Sequence, residues 1–182
     1  NPLDSDELDD TITGDVFVAK YNAQGEELWL DVLSSRTSDS PFSIELDTSG
    51  NVYVVGQTTG TLPGGQPNQG LTDAFVTQYS AGGDRQWVRQ FGSSQRDRAT
   101  DVAVAGDGTI YVSGWTDGAL FGNPPIGGRD GWFATLASDG TVQSSQQIGT
   151  TGDDRANSIT VDGNGRIYVG WDTEGNLGGS NQ

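Results

Sequence analysis

Apolar positions in this chain fall in short runs of β-branched and aromatic residues, broken at regular intervals by glycine-containing pairs. Phe75-Val76-Thr77-Gln78-Tyr79, Val52-Tyr53-Val54-Val55 and Ile110-Tyr111-Val112 are such runs, and residues of this kind fit a pleated, half-buried surface. No stretch carries the apolar periodicity of an amphipathic helix. Ser49-Gly50, Asp107-Gly108 and Asn164-Gly165 mark one set of breaks; Gln24-Gly25, Gly82-Gly83 and Asp139-Gly140 mark another. Glycine tolerates the positive φ that tight hairpins demand, so these breaks predict turns. The fold class is all-β.

The pattern repeats. Asp15-Val16-Phe17-Val18-Ala19-Lys20-Tyr21 recurs as Asp73-Ala74-Phe75-Val76-Thr77-Gln78-Tyr79 and again as Asp130-Gly131-Trp132-Phe133-Ala134-Thr135-Leu136, at steps of 58 and 57 residues. Gly25, Gly83 and Gly140 keep that step, as do Asp39, Asp97 and Asp154, and Tyr53, Tyr111 and Tyr168. Trp29 and Trp87 correspond, whereas the third copy has Ser144. The repeats span approximately 15–72, 73–129 and 130–182 of a single domain, 1–182. One full unit predicts strands near 99–105, 109–115, 130–137 and 141–148, with a Gly/Pro-rich loop over 116–129. Four antiparallel strands per repeat predict a β-propeller blade. Strands held between neighbouring blades should be apolar on both faces, as Val52–Val55 and Ile110–Val112 are.

The run Asp73-Ala-Phe-Val-x-x-Tyr79, then Trp87, Gly92, Asp97, Val102-Ala103-Val104 and Gly108-Thr109-Ile110-Tyr111-Val112-Ser113-Gly114, resembles the bacterial SBBP β-propeller repeat over nearly the whole chain. The third copy departs from it at Ser144, and Val169-Gly170 reads as one residue short after Tyr168. The resemblance implies a propeller on an extracellular or cell-surface bacterial protein and no catalytic residue, since fold does not confer function. By analogy with related propellers, the strand near 42–47, 99–105 and 156–162 is innermost. The chain then holds a half blade, two whole blades and another half blade, about three blades' worth. Starting at Asn1 without an initiator Met, it reads as a mature form or an excerpt. Either further repeats of a longer propeller or another copy would close the ring; a homodimer would give six blades, within the usual range of about 4–8.

Composition narrows the chemistry. Among 182 residues there are 9 Lys+Arg against 25 Asp+Glu, a net charge of −16, and no His, Cys or Met. A His-dependent triad, a thiolate nucleophile, a zinc ribbon and a disulfide framework are all excluded. The acidic balance argues against a nucleic-acid partner, and no apolar run is long enough to span a membrane as a helix. Absence of Cys and Met suits a chain exposed to oxidants. Asp4, Asp6, Glu7, Asp9 and Asp10 are a candidate calcium loop, lacking the Gly and terminal Glu of an EF-hand; the bland alternative is a solvated acidic loop. Asp39, Asp97 and Asp154, just before the inner strand, are placed to collect a cation or sugar hydroxyls, or else to fix the loop leading into it. Trp115 and Trp171 nearly share a repeat position and are the candidates for stacking on a glycan, against packing between blades. The loops at 57–72 and 116–129 vary between copies and are the expected partner surface. The sequence thus predicts a non-enzymatic scaffold or interaction module, a repeating subunit of a surface layer or filament being one form of it, with a carbohydrate-binding lectin as the alternative and a carboxylate-based hydrolase or lyase behind it.

Overall fold

The computed structural model describes residues 14–176. Strands β1 (Val16–Tyr21) and β2 (Glu27–Leu33) form a two-stranded antiparallel sheet. Strands β3 (Asp39–Leu46), β4 (Val52–Thr58), β5 (Asp73–Tyr79) and β6 (Arg85–Phe91) form a four-stranded sheet in sequence order. The pattern recurs in β7 (Asp97–Val104), β8 (Ile110–Thr116), β9 (Asp130–Leu136) and β10 (Val142–Ile148). Strands β11 (Asp154–Val161) and β12 (Ile167–Thr173) make a final two-stranded sheet. This is the expected half blade, two whole blades and half blade. The described residues contain no helix.

The turns sit where the glycine pairs predict them. Gly50, Gly108 and Gly165 have φ of +80°, +85° and +76°, and Gly25, Gly83 and Gly140 have +84°, +97° and +80°, a region that favours glycine because it lacks Cβ. Aspartate reinforces several of these turns from within: Asp47 accepts the backbone N–H of Ser49 at 2.8 Å and of Asn51 at 2.9 Å.

Two cores lie between the sheets. Val16, Val18 and Leu33 of the first half blade meet Val52, Val54, Phe75 and Tyr79. The opposite faces of the same strands, Tyr53, Val55, Ala74 and Val76, meet Val102, Ile110, Val112 and Trp132 of the next blade. Alternation on β4 therefore feeds two cores, which is why its sequence is apolar at consecutive positions. Inner strands are also tied by polar contacts. Asp101 of β7 accepts the Ser43 hydroxyl at 2.6 Å on one side and the Ile159 N–H at 2.9 Å on the other.

The strand register corrects one sequence expectation. Asp154 pairs with Thr173 and Ala156 with Trp171, just as Asp97 pairs with Thr116 and Ala99 with Gly114. No residue is missing after Tyr168; the one-residue difference falls in the shorter loop before β9. Trp171 thus stands where the other copies have Gly56 and Gly114, and it does not share a position with Trp115. In the whole blades an aromatic on the next strand pairs across from that glycine, Phe75 opposite Gly56 and Trp132 opposite Gly114. Trp171 instead presses its ring on Gly131 of the preceding blade, where the other copies carry Val16 and Ala74.

A Cβ at Gly114 would collide with the Arg98 carbonyl oxygen and come within 2.6 Å of the Trp132 ring. Gly114→Ala is therefore expected to cost about 2–3 kcal/mol of stability. Gly106→Ala, with nothing within 4 Å of the added atom, should stay within about 0.5 kcal/mol. Chemical denaturation of both variants checks the contrast.

Candidate functional site

Asp39, Asp97 and Asp154 open the three inner strands, and all are buried. Each takes hydrogen bonds from a hydroxyl residue four positions earlier. The Ser35 N–H and Oγ donate to Asp39 at 2.7 and 2.8 Å, and the Ser93 N–H and Oγ to Asp97 at 2.6 and 2.9 Å. The Thr150 N–H and Oγ1 donate to Asp154 at 2.5 and 2.9 Å. Thr116 Oγ1 also donates to Asp97. These buried carboxylates are engaged by the loops that lead into the inner strands. A pattern of Ser or Thr four residues before the aspartate was legible in the sequence as the signal for this loop.

Asp73 and Asp130, which open the third strand of each whole blade, form a second buried set. Asp73 Oδ2 accepts the Gln69 N–H and the Gln90 side-chain amide, both at 3.0 Å. Asp130 Oδ2 accepts the Ile126 N–H at 2.7 Å and the Gln147 amide at 2.8 Å. The other oxygen of each meets no protein donor. Glycine makes room beside them: a Cβ at Gly92 would strike Asp73, and one at Gly149 would strike Asp130. Among the described residues no three acids converge as a metal cluster. The candidate calcium loop of Asp4, Asp6, Glu7, Asp9 and Asp10 lies outside the described residues.

The tryptophans pack. Trp115 is buried, with the Arg98 guanidinium 4.9 Å and that of Arg129 3.9 Å from its ring centre; these cations cover the ring a sugar would need. Trp29 stacks on Tyr79 with centroids 6.0 Å apart and lies against the Gly83 turn of the next blade. Trp87 lies on the Gly140 turn of the blade after, and its Nε1–H donates to the Ser138 carbonyl at 3.2 Å. These two form an outer clasp from each blade to its successor. Ser144 occupies the same place on β10.

The unfinished surface lies at the two half blades. Phe17 on β1 is 66% exposed, whereas its counterparts Phe75 and Trp132 are fully buried at 0%. Ile44 on β3 is 59% exposed against 2% for Val102 and 5% for Ile159. At the far end Tyr168 on β12 is 55% exposed and its counterpart Tyr53 only 1%. Two adjoining hollows of about 560 and 610 Å³ run between β1 and β3, lined by Phe17, Val18, Tyr21, Phe42, Ile44 and Leu46 among others. Among the described residues the first half blade has no inner pair of strands, and the last has no outer pair. Sequence reasoning placed partner surfaces on the variable loops and at the half blades; which side chains the half blades expose was hidden, because the same residue types are core in the other copies.

Comparison with known proteins bears on the repeat directly. The β-propeller repeat model named SBBP matches residues 34–63, 86–122 and 145–178. A regulatory protein of Caulobacter vibrioides, FlaEY, is 33% identical over 170 residues, which covers 86% of this chain and 18% of that protein. A WD repeat-containing protein of Acanthamoeba polyphaga mimivirus, L264, described as uncharacterized, is 27% identical over 120 residues, 57% of this chain and 9% of its own length. The chain thus spans less than a fifth of the length of these relatives.

The buried acids carry a pH signature. Burial raises the Asp73 carboxyl above its ordinary value of 3.8; burial, and then the charge of Asp73, raise Asp97. A carboxyl raised in the folded state holds its proton more tightly there. Its stabilisation is complete below 3.8 and declines as pH climbs through the raised value. Asp107 and Asp139, held low mainly by backbone N–H donors of Thr109 and Thr141, act in the opposite sense, losing stability only as pH falls below the ordinary range. In the window above the ordinary carboxylate range, where Asp107 and Asp139 are already ionised, the buried pair dominates. Thermal melting should fall as pH rises across that window, and Asp73→Asn should flatten the slope; an unchanged slope would assign it to other groups.

Proposed function

The chain belongs to the SBBP β-propeller repeat family, and from that premise we propose that it is a non-catalytic interaction module whose half blades are completed by further repeats of this kind, which a second copy supplies to residues 1–182 on their own. The observation that carries this reading is the loss of burial at matched positions: Phe17, Ile44 and Tyr168 are exposed only where the neighbouring half blade is absent. The two ends are complementary. The β11–β12 sheet is an inner pair lacking an outer one, and β1–β2 is an outer pair lacking an inner one. In the complete blades Val52 pairs with Tyr79 and Thr58 with Asp73. With that register carried over, Ile167 of one copy lies opposite Tyr21 of the other, and Trp171 lies opposite Phe17.

Magnitudes favour association. Fully burying a large apolar side chain yields about 1.5–3 kcal/mol, and Phe17, Tyr21, Phe42, Ile44, Leu46 and Tyr168 are all exposed. Bringing two molecules together costs roughly 4–15 kcal/mol in lost freedom. A closed pair forms both junctions for a single such cost, so a two-copy ring is favoured over an open array. Ring closure also removes the free edges of β1 and β12, which are otherwise templates for unwanted pairing. The junction lacks one fastening. Ser144 would face the Gly25 turn of the second copy, where Trp29 and Trp87 clasp the corresponding turns, so the contact is weaker than an internal one.

Sedimentation velocity over a concentration series is expected to show a monomer–dimer equilibrium. Val169→Lys, which puts a charge where Val54 and Val112 are buried, should leave only folded monomer. Ser144→Trp should tighten the dimer about tenfold or more, equivalent to roughly 1.4 kcal/mol. A folded wild-type chain that stays monomeric throughout would overturn the reading.

A further inference from the structure

Four of the chain's nine cationic residues converge at one place in a protein of net charge −16. Arg96, Arg98, Arg129 and Arg155, drawn from the second blade and the start of the final half blade, line a cavity of about 480 Å³ at the end of the fold where β7 and β11 begin. Among the described residues no carboxylate lines it. Arg129 and Arg155 are neutralised from outside its wall: Arg129 Nε pairs with Asp117 at 2.9 Å, and Arg155 pairs with Asp172 at 3.1 Å and Asp153 at 3.7 Å. Among the described residues Arg98 has no such partner. Its Nε–H donates to Gln57 Oε1 at 2.9 Å, and its guanidinium lies 4.3 Å from the Phe42 ring centre and 4.9 Å from that of Trp115. Arg96 is exposed and meets no acid among the described residues. Burial, and then the charges of Arg129 and Arg155, lower the Arg98 pKa, which marks this guanidinium as short of negative charge.

We propose that this pocket binds a compact oxyanion, the phosphate or sulfate group of a small ligand. Arg96 and Arg98, which meet no carboxylate among the described residues, supply forked N–H donors that match tetrahedral oxyanions. The Arg98 fork is held in place by Gln57, Phe42 and Trp115, so little ordering remains to be done on binding. Excess negative charge over the rest of the molecule repels a long polyanion and admits a compact group. The volume lies within the usual range of about 300–1,000 Å³ for small-ligand sites. This inference is independent of how the half blades are completed, because residues of the chain's own blades line the pocket.

Isothermal titration calorimetry at constant ionic strength, with inorganic phosphate, inorganic sulfate and acetate as separate titrants against a chloride blank, tests it. Phosphate, sulfate or both should bind saturably at one site, and acetate at least fivefold more weakly. Arg98→Gln should abolish binding, Arg96→Gln should weaken it about tenfold or more, and Arg166→Gln, in the β11–β12 turn, should leave it unchanged. Arg96 is exposed, so its variant keeps the test informative even where Arg98→Gln fails to fold. Heat no greater than the chloride blank, or binding untouched by Arg96→Gln, would overturn the assignment.

Discussion

Each blade of this fold can bury an apolar face only because the inner strand of the next blade lies against it. Val102 of β7 is buried in the core it shares with Tyr53, Val55 and Val76 of the preceding blade. Ile159 of β11 repeats the arrangement one blade on, and Ile44 of β3, with no inner strands before it, is left in solvent. No sheet is self-sufficient, because a four-stranded sheet has two apolar faces and can cover neither by itself. Stability is therefore a property of neighbours, and the exposed ends follow from the same rule that builds the interior.

Secondary devices keep the blades in step. The glycines at 56 and 114 let an aromatic residue of the next strand lie across the sheet. Buried aspartates at 39, 97 and 154 hold the approach to each inner strand by accepting donors that would otherwise be unsatisfied. Trp29 and Trp87 fasten the rim of one blade to a turn of the next. The last copy changes two of these devices, with Trp171 in the glycine position and Ser144 in the tryptophan position. Ser144 falls on the rim that faces the successor blade, whereas Trp171 turns back onto Gly131 of the preceding blade.

Much of the fold was legible in the sequence because repetition supplies its own controls. Turn glycines recurring on a fixed step predicted positive φ at all six hairpins, and strands such as β9 emerged nearly to the residue. Register at Trp171 was not legible: Gly170 beside it mimics the Gly114-Trp115 pair, and only backbone pairing separates the two alignments. The arginine pocket was likewise invisible. Arg96 with Arg98, Arg129 and Arg155 come from three separate stretches of the chain, the last of them in the next blade, so no local pattern announces that they meet. Unpaired half blades were expected, but the particular side chains that β1 and β3 expose were not legible, since their sequences are those of core strands.

Amide hydrogen exchange followed as a function of protein concentration tests the dependence of each blade on its neighbour most directly. Protection in β1 (Val16–Tyr21) and β12 (Ile167–Thr173) should rise with concentration as their free edges pair, while β5 and β8, already paired on both sides, keep constant protection. If β1 and β12 exchange rapidly at every concentration while the internal blades stay protected, the half blades are stable without a partner and the account is contradicted.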